Sequence, residues 1–328
     1  MAQRAAAIAT SVLCGARVFR LVYSNARMIR IPLTVFAGLA GLAFGSFLNV
    51  CLSRWPAGES VVHPRSHCRA CGRTLKWWEN VPLVSWLALG GRCGTCRVQI
   101  GWRYPMVELA VGTLWAAVAW QIAWWYAGIS FSPLGLIEAA APTIGKILLV
   151  WILVGLAALD AEHLWLPDIV TLPGIVLGLV VSLMRGDFLV ASSLGLTSGE
   201  PSAPFSLVNQ MLRVAFAILI AAGLVLAIRW IYWLVRRREG IGLGDAKLMA
   251  MLAAWLGLPG ALLAFAIGVV LGAVVGVVLL LRPQTGEGAA TTGLTKLPLG
   301  TFLCIGGIAS ALWGSEILRA YLRWAGIL

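Results

Sequence analysis

Apolar runs long enough to cross a bilayer follow one another along almost the whole chain, near 31–52, 106–128, 144–160, 168–184, 212–235, 245–258, 260–281 and 297–318. Wound as helices, such runs match the hydrocarbon thickness of a membrane, and lipid offers no partners to exposed backbone groups. They are too long and uniform for barrel strands. The expected fold is therefore an all-α, polytopic membrane protein with about eight transmembrane helices. The sixth run is short, and Gly257-Leu258-Pro259-Gly260 supplies a turn before the seventh.

One polar island interrupts this pattern. Residues 53–104 carry eight Lys/Arg and two Cys-x-x-Cys pairs, Cys68/Cys71 and Cys93/Cys96. A C-x2-C-x21-C-x2-C arrangement has the spacing of a four-thiolate zinc site, which is structural because no coordination position stays open for water. Gly72 and Gly94 beside the ligands permit the tight turns that such chelation needs. A soluble loop of roughly 50 residues with few aliphatics cannot build its own core, and a metal substitutes for one. A redox pair is the alternative, disfavoured where thiols stay reduced. His63 and His67 are spare, and Cys14, Cys51 and Cys304 lie in or beside apolar segments with no role assigned. Arg65, Arg69, Arg73 and Lys76 with Trp77 and Trp78 would suit nucleic acid. Topogenic charge and interfacial tryptophan explain the same residues, and no nucleic-acid partner is expected.

Charge sets the orientation. The net charge of +12 comes from 25 Lys/Arg against 13 Asp/Glu, and it is unevenly spread: residues 129–143 carry no basic residue. The positive-inside rule puts 53–104, 161–167, 236–244 and 282–296 on the cytoplasmic side and 129–143 and 185–211 outside. Residues 1–30 conflict with this, since they hold Arg4, Arg17, Arg20, Arg27 and Arg30 and no acid. An amphipathic surface helix, an extra weak span or a start at Met28 would each resolve the conflict; the start at Met28 is favoured, and 1–30 is set apart as a basic extension. Two regions follow it: 31–128, with the first two spans and the zinc loop 53–104, and a membrane domain over 144–318. No internal repeat is detected.

The thirteen acids narrow the search for chemistry. Eight lie in loops or near an end, leaving Glu108, Asp160, Glu162, Asp168 and Asp245. Ionisable groups at membrane helix ends are costly and default to function. Glu108 follows Pro105 in the first turn of a span, and Asp168 follows Pro167, so helix capping accounts for both. Capping cannot account for Asp160, which ends an apolar helix where the dipole opposes an anion. Asp245 follows Gly242-Leu243-Gly244 at a helix start. Both fall on the inner face, where two carboxylates can activate water and protonate a leaving amine, the chemistry of aspartic peptidases.

The motifs in order resemble the type IV prepilin peptidases. They run Gly45-Ser-Phe-Leu-Asn49-Val-Cys-Leu-Ser-Arg54-Trp-Pro56, Ser66-His-Cys-Arg-Ala-Cys71, Asn80-Val-Pro-Leu-Val-Ser-Trp86, Gly91-Arg-Cys-Gly-Thr-Cys96, Arg103-Tyr-Pro-Met-Val-Glu108, Asp160-Ala-Glu-His163-Leu-Trp-Leu-Pro167-Asp168, Gly242-Leu-Gly-Asp245-Ala-Lys247 and Leu297-Pro-Leu-Gly300. Ala161-Glu162 stands where the family has Leu-Asp, and Leu297-Pro-Leu-Gly300 where it has Pro-Phe-Gly. The resemblance implies a multi-pass enzyme of the bacterial inner membrane that faces the cytoplasm. There it would cleave the basic leader of prepilins or pseudopilins, usually between Gly and Phe, with Asp160 and Asp245 as the catalytic pair. It further implies S-adenosylmethionine-dependent methylation of the new amino terminus. No fingerprint for that cofactor is present; Gly91 and Glu108 are the residues suggested for it. From dipoles alone, Asp245 at a helix start would take the water proton and Asp160 would donate. The rival reading is a zinc-bearing transporter with Asp160 and Asp245 as cation ligands.

Overall fold

The computed structural model describes residues 30–126, 133–185, 207–238, 242–281 and 297–326. The basic extension 1–29, and with it the start at Met28, lies outside the described residues, as do most of the 185–211 loop and all of 282–296. The described residues are helical without a strand, apart from two isolated bridges, and they divide into two units between Ile147 and Leu148.

In the amino-terminal unit, α1 covers residues 30–54 and runs into a 3-10 turn, Trp55–Ala57. The polar island then forms a second 3-10 turn, Trp77–Asn80, and a short α2, Val84–Ala88, before α3, Arg103–Tyr126. Small residues let α1 and α3 approach closely, as in membrane helix pairs generally. A Cβ on Gly41 would come within 2.9 Å of Gly112 Cα, and one on Gly45 within 2.7 Å of Glu108 Cα. Phe44 and Trp115, with ring centroids 5.0 Å apart, close the same interface.

α4, Pro133–His163, crosses the boundary between the units. The carboxy-terminal unit adds α5 (Asp168–Arg185), α6 (Leu207–Arg236), α7 (Leu243–Leu281) and α8 (Leu299–Trp324). At 1.5 Å per residue, the 39 residues of α7 would reach about 58 Å, nearly twice the hydrocarbon core. The helix therefore breaks, at Gly257, with φ 70° and ψ 176°, just before Pro259. Ser310 Oγ donates to Gly260 O at 2.8 Å beside the break.

The arm before the break is buried on nearly all sides, from Asp245 through Gly257, and forms the core with Leu149, Leu153 and Leu156 of α4 and Leu303 of α8. Glycines on its neighbours receive its large side chains. A Cβ on Gly178 would meet Trp255 Cδ1 at 2.5 Å, one on Gly307 would meet Leu252 Cδ2 at 2.7 Å, and Met251 Sδ packs directly on Gly174. Trp255 Nε1–H donates to Gly174 O at 2.8 Å, which satisfies the indole inside the core. Phe216, Val270 and Leu280 point outward, as lipid-facing side chains do.

Among the described residues, six helices are long and apolar enough to cross a membrane; α5 is shorter, and α7 is two arms joined at the break. The predicted eight apolar segments thus correspond to described helices, with changed ends. The span expected at 144–160 begins at Pro133 and contains Pro142, and the span expected at 212–235 begins at Leu207. Residues 134–141 are rich in Leu, Ala and Glu, whose helix propensity carries the helix beyond its apolar window.

Candidate active site and metal centre

Three helix ends meet within the carboxy-terminal unit. Asp160 stands near the end of α4, Asp245 in the first turn of α7, and Gly300 and Thr301 in the first turn of α8. Both carboxylates are buried, with residue exposures of 6% for Asp160 and 7% for Asp245, and each feels the charge of the other. Asp160 Oδ2 accepts from Thr301 N–H at 2.6 Å, and the Thr301 hydroxyl, 3.1 Å from both Asp160 Oδ2 and Ala157 O, shares its one hydrogen between them, while Asp245 Oδ2 accepts from Gly242 N–H at 3.1 Å. Gly300 is required at this spot, because a Cβ there would lie 2.9 Å from Asp160 Cγ. Leu166 packs between Gly300 and Gly244, which ties the Asp160-to-Asp168 motif to the other two.

The first turn of α8 alters the dipole reading. Asp160 ends one helix but lies against the start of another, whose N–H groups carry the opposite partial charge. Two donors from Thr301 therefore offset the dipole of α4, and helix ends no longer separate the roles of the two aspartates. Asp168 also differs from its expected role as a cap: its Oδ1 is ion-paired with Lys247 Nζ at 2.6 Å, and Pro167 O accepts the first amides of α5. Cys304 is fully buried beneath the pair and feels both charges.

The four cysteines of the amino-terminal unit converge. Their sulfurs all lie within 4.8 Å of one another, and Cys68 Sγ and Cys96 Sγ are 3.7 Å apart. A tetrahedral zinc with Zn–S bonds of about 2.3 Å requires sulfur edges of about 3.8 Å. The cluster could hold zinc. Each pair sits on the same hydrogen-bonded loop. Cys68 N–H donates to Arg73 O, Gly72 N–H to Cys68 O and Leu75 N–H to Ser66 O. Twenty-five residues on (93 − 68 = 25), Cys93 N–H donates to Val98 O, Arg97 N–H to Cys93 O and Ile100 N–H to Gly91 O.

This is a structural repeat that the sequence hides, since the ligands are nearly all the two halves share. At its fourth loop position Gly72 has φ 68°, and Arg97 takes the equivalent φ of 58° without being glycine. The amides of Thr95 and Cys96 pull the Cys93 thiol down to about 6, and amides of Cys71 and Ala70 likewise lower Cys68. Both shifts favour the thiolates that metal ligation needs. Cys96 moves the other way, to about 11: the Val98 amide lowers it, but burial and the neighbouring Cys93, Cys71 and Cys68 sulfurs together outweigh that amide.

Glu79, dismissed with the loop acids, proves to be an outer support of this centre. Its carboxylate accepts from Arg73 Nη2 at 2.7 Å, Arg73 Nη1 at 2.9 Å and Lys76 N–H at 2.8 Å, and the Arg73 guanidinium also reaches the Cys93 sulfur. Arg73, followed by the Lys76 amide, holds Glu79 well below the usual carboxylate range. Its spacing to Arg73 resembles any loop ion pair, so nothing in the sequence marks it. Arg54 is similarly hidden: buried at the end of α1, it donates to Ser60 O at 2.8 Å and Pro64 O at 2.7 Å.

Beside the cysteines the amino-terminal unit encloses a cavity of about 360 Å³. Glu108 lines it, with Oε2 accepting Leu83 N–H at 2.8 Å and the carboxylate also bonded by the Ser46 hydroxyl. Gly91 does not line it. With φ 66°, Gly91 turns the chain against the Trp86 ring, 2.9 Å from where its Cβ would be. Its structure thus accounts for glycine by packing.

Known proteins share this layout. The bacterial peptidase A24 amino-terminal domain matches residues 39–122, and the type IV leader peptidase family matches residues 147–277. The "Prepilin leader peptidase/N-methyltransferase" of Pseudomonas aeruginosa is 35% identical over 312 residues, covering 88% of this chain and 93% of the relative. The protein of the same name from Stutzerimonas stutzeri is 34% identical over 309 residues, with 87% and 92% covered. A "Type 4 prepilin-like proteins leader peptide-processing enzyme" of Escherichia coli is 31% identical over 300 residues, with 84% and 92% covered. No solved structure matches the chain. The agreement of both domains in order, with relatives covered almost end to end, means that this chain is a multi-pass membrane protein belonging to the type IV leader peptidase family.

Proposed function

We propose that the chain cleaves the leader of prepilin-like substrates at Asp160 and Asp245, on the cytoplasmic side of the inner membrane. The observation that carries this reading is the meeting of two buried carboxylates at one end of the carboxy-terminal unit, each held by donors from a different helix start. Two such carboxylates share one proton, and the pair titrates jointly. The ionised member takes a proton from water as its oxygen attacks the scissile carbonyl. The protonated member then gives its proton to the leaving amine as the C–N bond breaks. Gly242 and Gly244 keep the backbone beside Asp245 narrow, so that an extended peptide can approach.

The same chain would methylate the new amino terminus in its amino-terminal unit. S-adenosylmethionine, when bound, supplies an electrophilic methyl group. The cavity lined by Glu108 has a size typical of small-molecule sites, and Cys68, Cys71, Cys93 and Cys96, holding zinc, would keep its wall rigid.

The test is a purified full chain with a prepilin, scored by mass for leader loss and for the gain of a methyl group. Asp160→Asn and Asp245→Asn are each expected to reduce cleavage by about 10³-fold or more, the upper range for an acid–base group. Cleavage that survives both changes refutes the aspartate mechanism.

A further inference from the structure

The cavity of the amino-terminal unit contains one polar atom that the protein leaves without a partner. Asn49, near the end of α1, is 2% exposed and lines the cavity. Its Nδ2–H donates to Tyr104 O at 2.9 Å, which fixes the plane of the amide, but its Oδ1 is buried and accepts nothing among the described residues. A buried acceptor without a donor costs about 1–3 kcal/mol, so such groups mark places where something else binds.

The other polar groups of the wall are unequal. Arg54 is spent on Ser60 O and Pro64 O, and Arg69 donates to Ser53 O. Glu79 accepts from Arg73 and Lys76, and Glu108 from Leu83 and Ser46. Asn80, Ser85 and Gln99 also line the wall, but the Asn49 carbonyl oxygen is its buried acceptor without a partner, and Glu59, an exposed residue, adds a carboxylate. Both are acceptors, and one is anionic. Trp86 also lines the cavity.

We infer that this cavity is the S-adenosylmethionine site, with Asn49 Oδ1 accepting an N–H of the ligand and Glu59 facing its positive charge. The inference rests on the methyltransferase reading above and names its binding residues. The ligand offers what these two acceptors call for, namely an amino group that donates and a cationic sulfonium and ammonium, and it is of a size for which such cavities are built. A peptide amino terminus shares the cationic, donating chemistry, so the experiment separates the two.

The full zinc-loaded chain in detergent is titrated with S-adenosylmethionine, with S-adenosylhomocysteine, which lacks the sulfonium charge, and with a peptide beginning at a free Phe. Wild type is expected to bind the first two, and the peptide is not expected to displace either of them. Asn49→Leu should weaken both cofactors at least tenfold with zinc content unchanged, and Glu59→Gln should weaken S-adenosylmethionine several-fold more than S-adenosylhomocysteine. If Asn49→Leu loses zinc, the Glu59→Gln contrast decides. Photo-crosslinked S-adenosylmethionine should map to residues 49–108.

Unchanged affinity in the zinc-loaded variants, a crosslink in residues 148–328, or binding of the Phe peptide in place of the cofactor overturns the assignment. A wild type that methylates while these outcomes fail condemns the site alone. A wild type that neither binds nor transfers methyl condemns the methyltransferase reading itself.

Discussion

In the carboxy-terminal unit the aspartates stand on helices locked by apolar burial, with Trp255 and Met251 of α7 pressed into glycines of α5 and Leu252 into Gly307 of α8. In the amino-terminal unit the corresponding precision sits in a loop whose two Cys-x-x-Cys turns bring four sulfurs within 4.8 Å of one another. One site is positioned by close packing, which transmits a misfit of tenths of an ångström directly to the chemistry. The other has the four thiolates to be positioned by a metal, whose removal would take away most of the folding free energy of a small domain at once. The two halves should therefore fail differently when disturbed.

The largest expected effect breaks that contrast or establishes it. Cys68→Ser combined with Cys93→Ser should abolish zinc binding, measured by metal analysis, and make residues 53–104 the preferred site of limited proteolysis. Methyl transfer should be lost and leader cleavage retained to within about tenfold, because binding energies of roughly 10–16 kcal/mol reside in a structural zinc site and none of it in the helical core. Equal loss of both activities would show that the halves are one cooperative unit.

A smaller effect probes the packed half. Gly300→Ala places a methyl where Asp160 Cγ is 2.9 Å away, and cleavage should fall by about two orders of magnitude, the scale of a misplaced catalytic group. Gly223→Ala, with nothing within 4 Å of the new methyl, should leave the rate unchanged. Thr301→Val removes one of the two donors to Asp160 Oδ2 and should lower kcat about tenfold, with a displaced pH–rate profile and little change in KM. A purely structural threonine would leave the pH profile where it was.

The smallest effect concerns the repeat in the zinc loop. Arg97 occupies the left-handed conformation that Gly72 occupies in the other half, at a cost of about 1–2 kcal/mol for a residue with a Cβ. Arg97→Gly should slow zinc release to a chelator several-fold. Faster release would mean that the arginine side chain holds the loop by a contact worth more than the strain.

The helical class, the apolar segments and the cysteine cluster were legible because each has a signal carried by local spacing: run length, charge-free windows, and paired thiols two residues apart. Asp160 and Asp245 stood out because thirteen acids in so apolar a chain leave few to explain. The kink was legible at Gly257-Leu-Pro-Gly, since a proline flanked by two glycines disrupts a helix where a single Pro142 or an isolated glycine is carried inside one. Glu79 and Asn49 were not legible, since a loop acid and a helix amide differ from their many equivalents only through what lies opposite them. Asp168 misled for the same reason: a cap and an ion pair call for the same side chain, and Lys247 is 79 residues away.

The sequence by itself determined that this chain lives in a membrane as helices, that four thiols could take a metal and that two aspartates merit chemistry, because hydrophobic length, ligand spacing and the cost of buried charge are properties of short stretches. Only the tertiary structure decided that Asp160 meets the start of α8, that Arg73 links Glu79 to Cys93, and that Asn49 turns an unanswered oxygen into a cavity. Those facts depend on donors and acceptors brought together from distant points of the chain, and hydrogen bonding has no periodicity from which such meetings could be read.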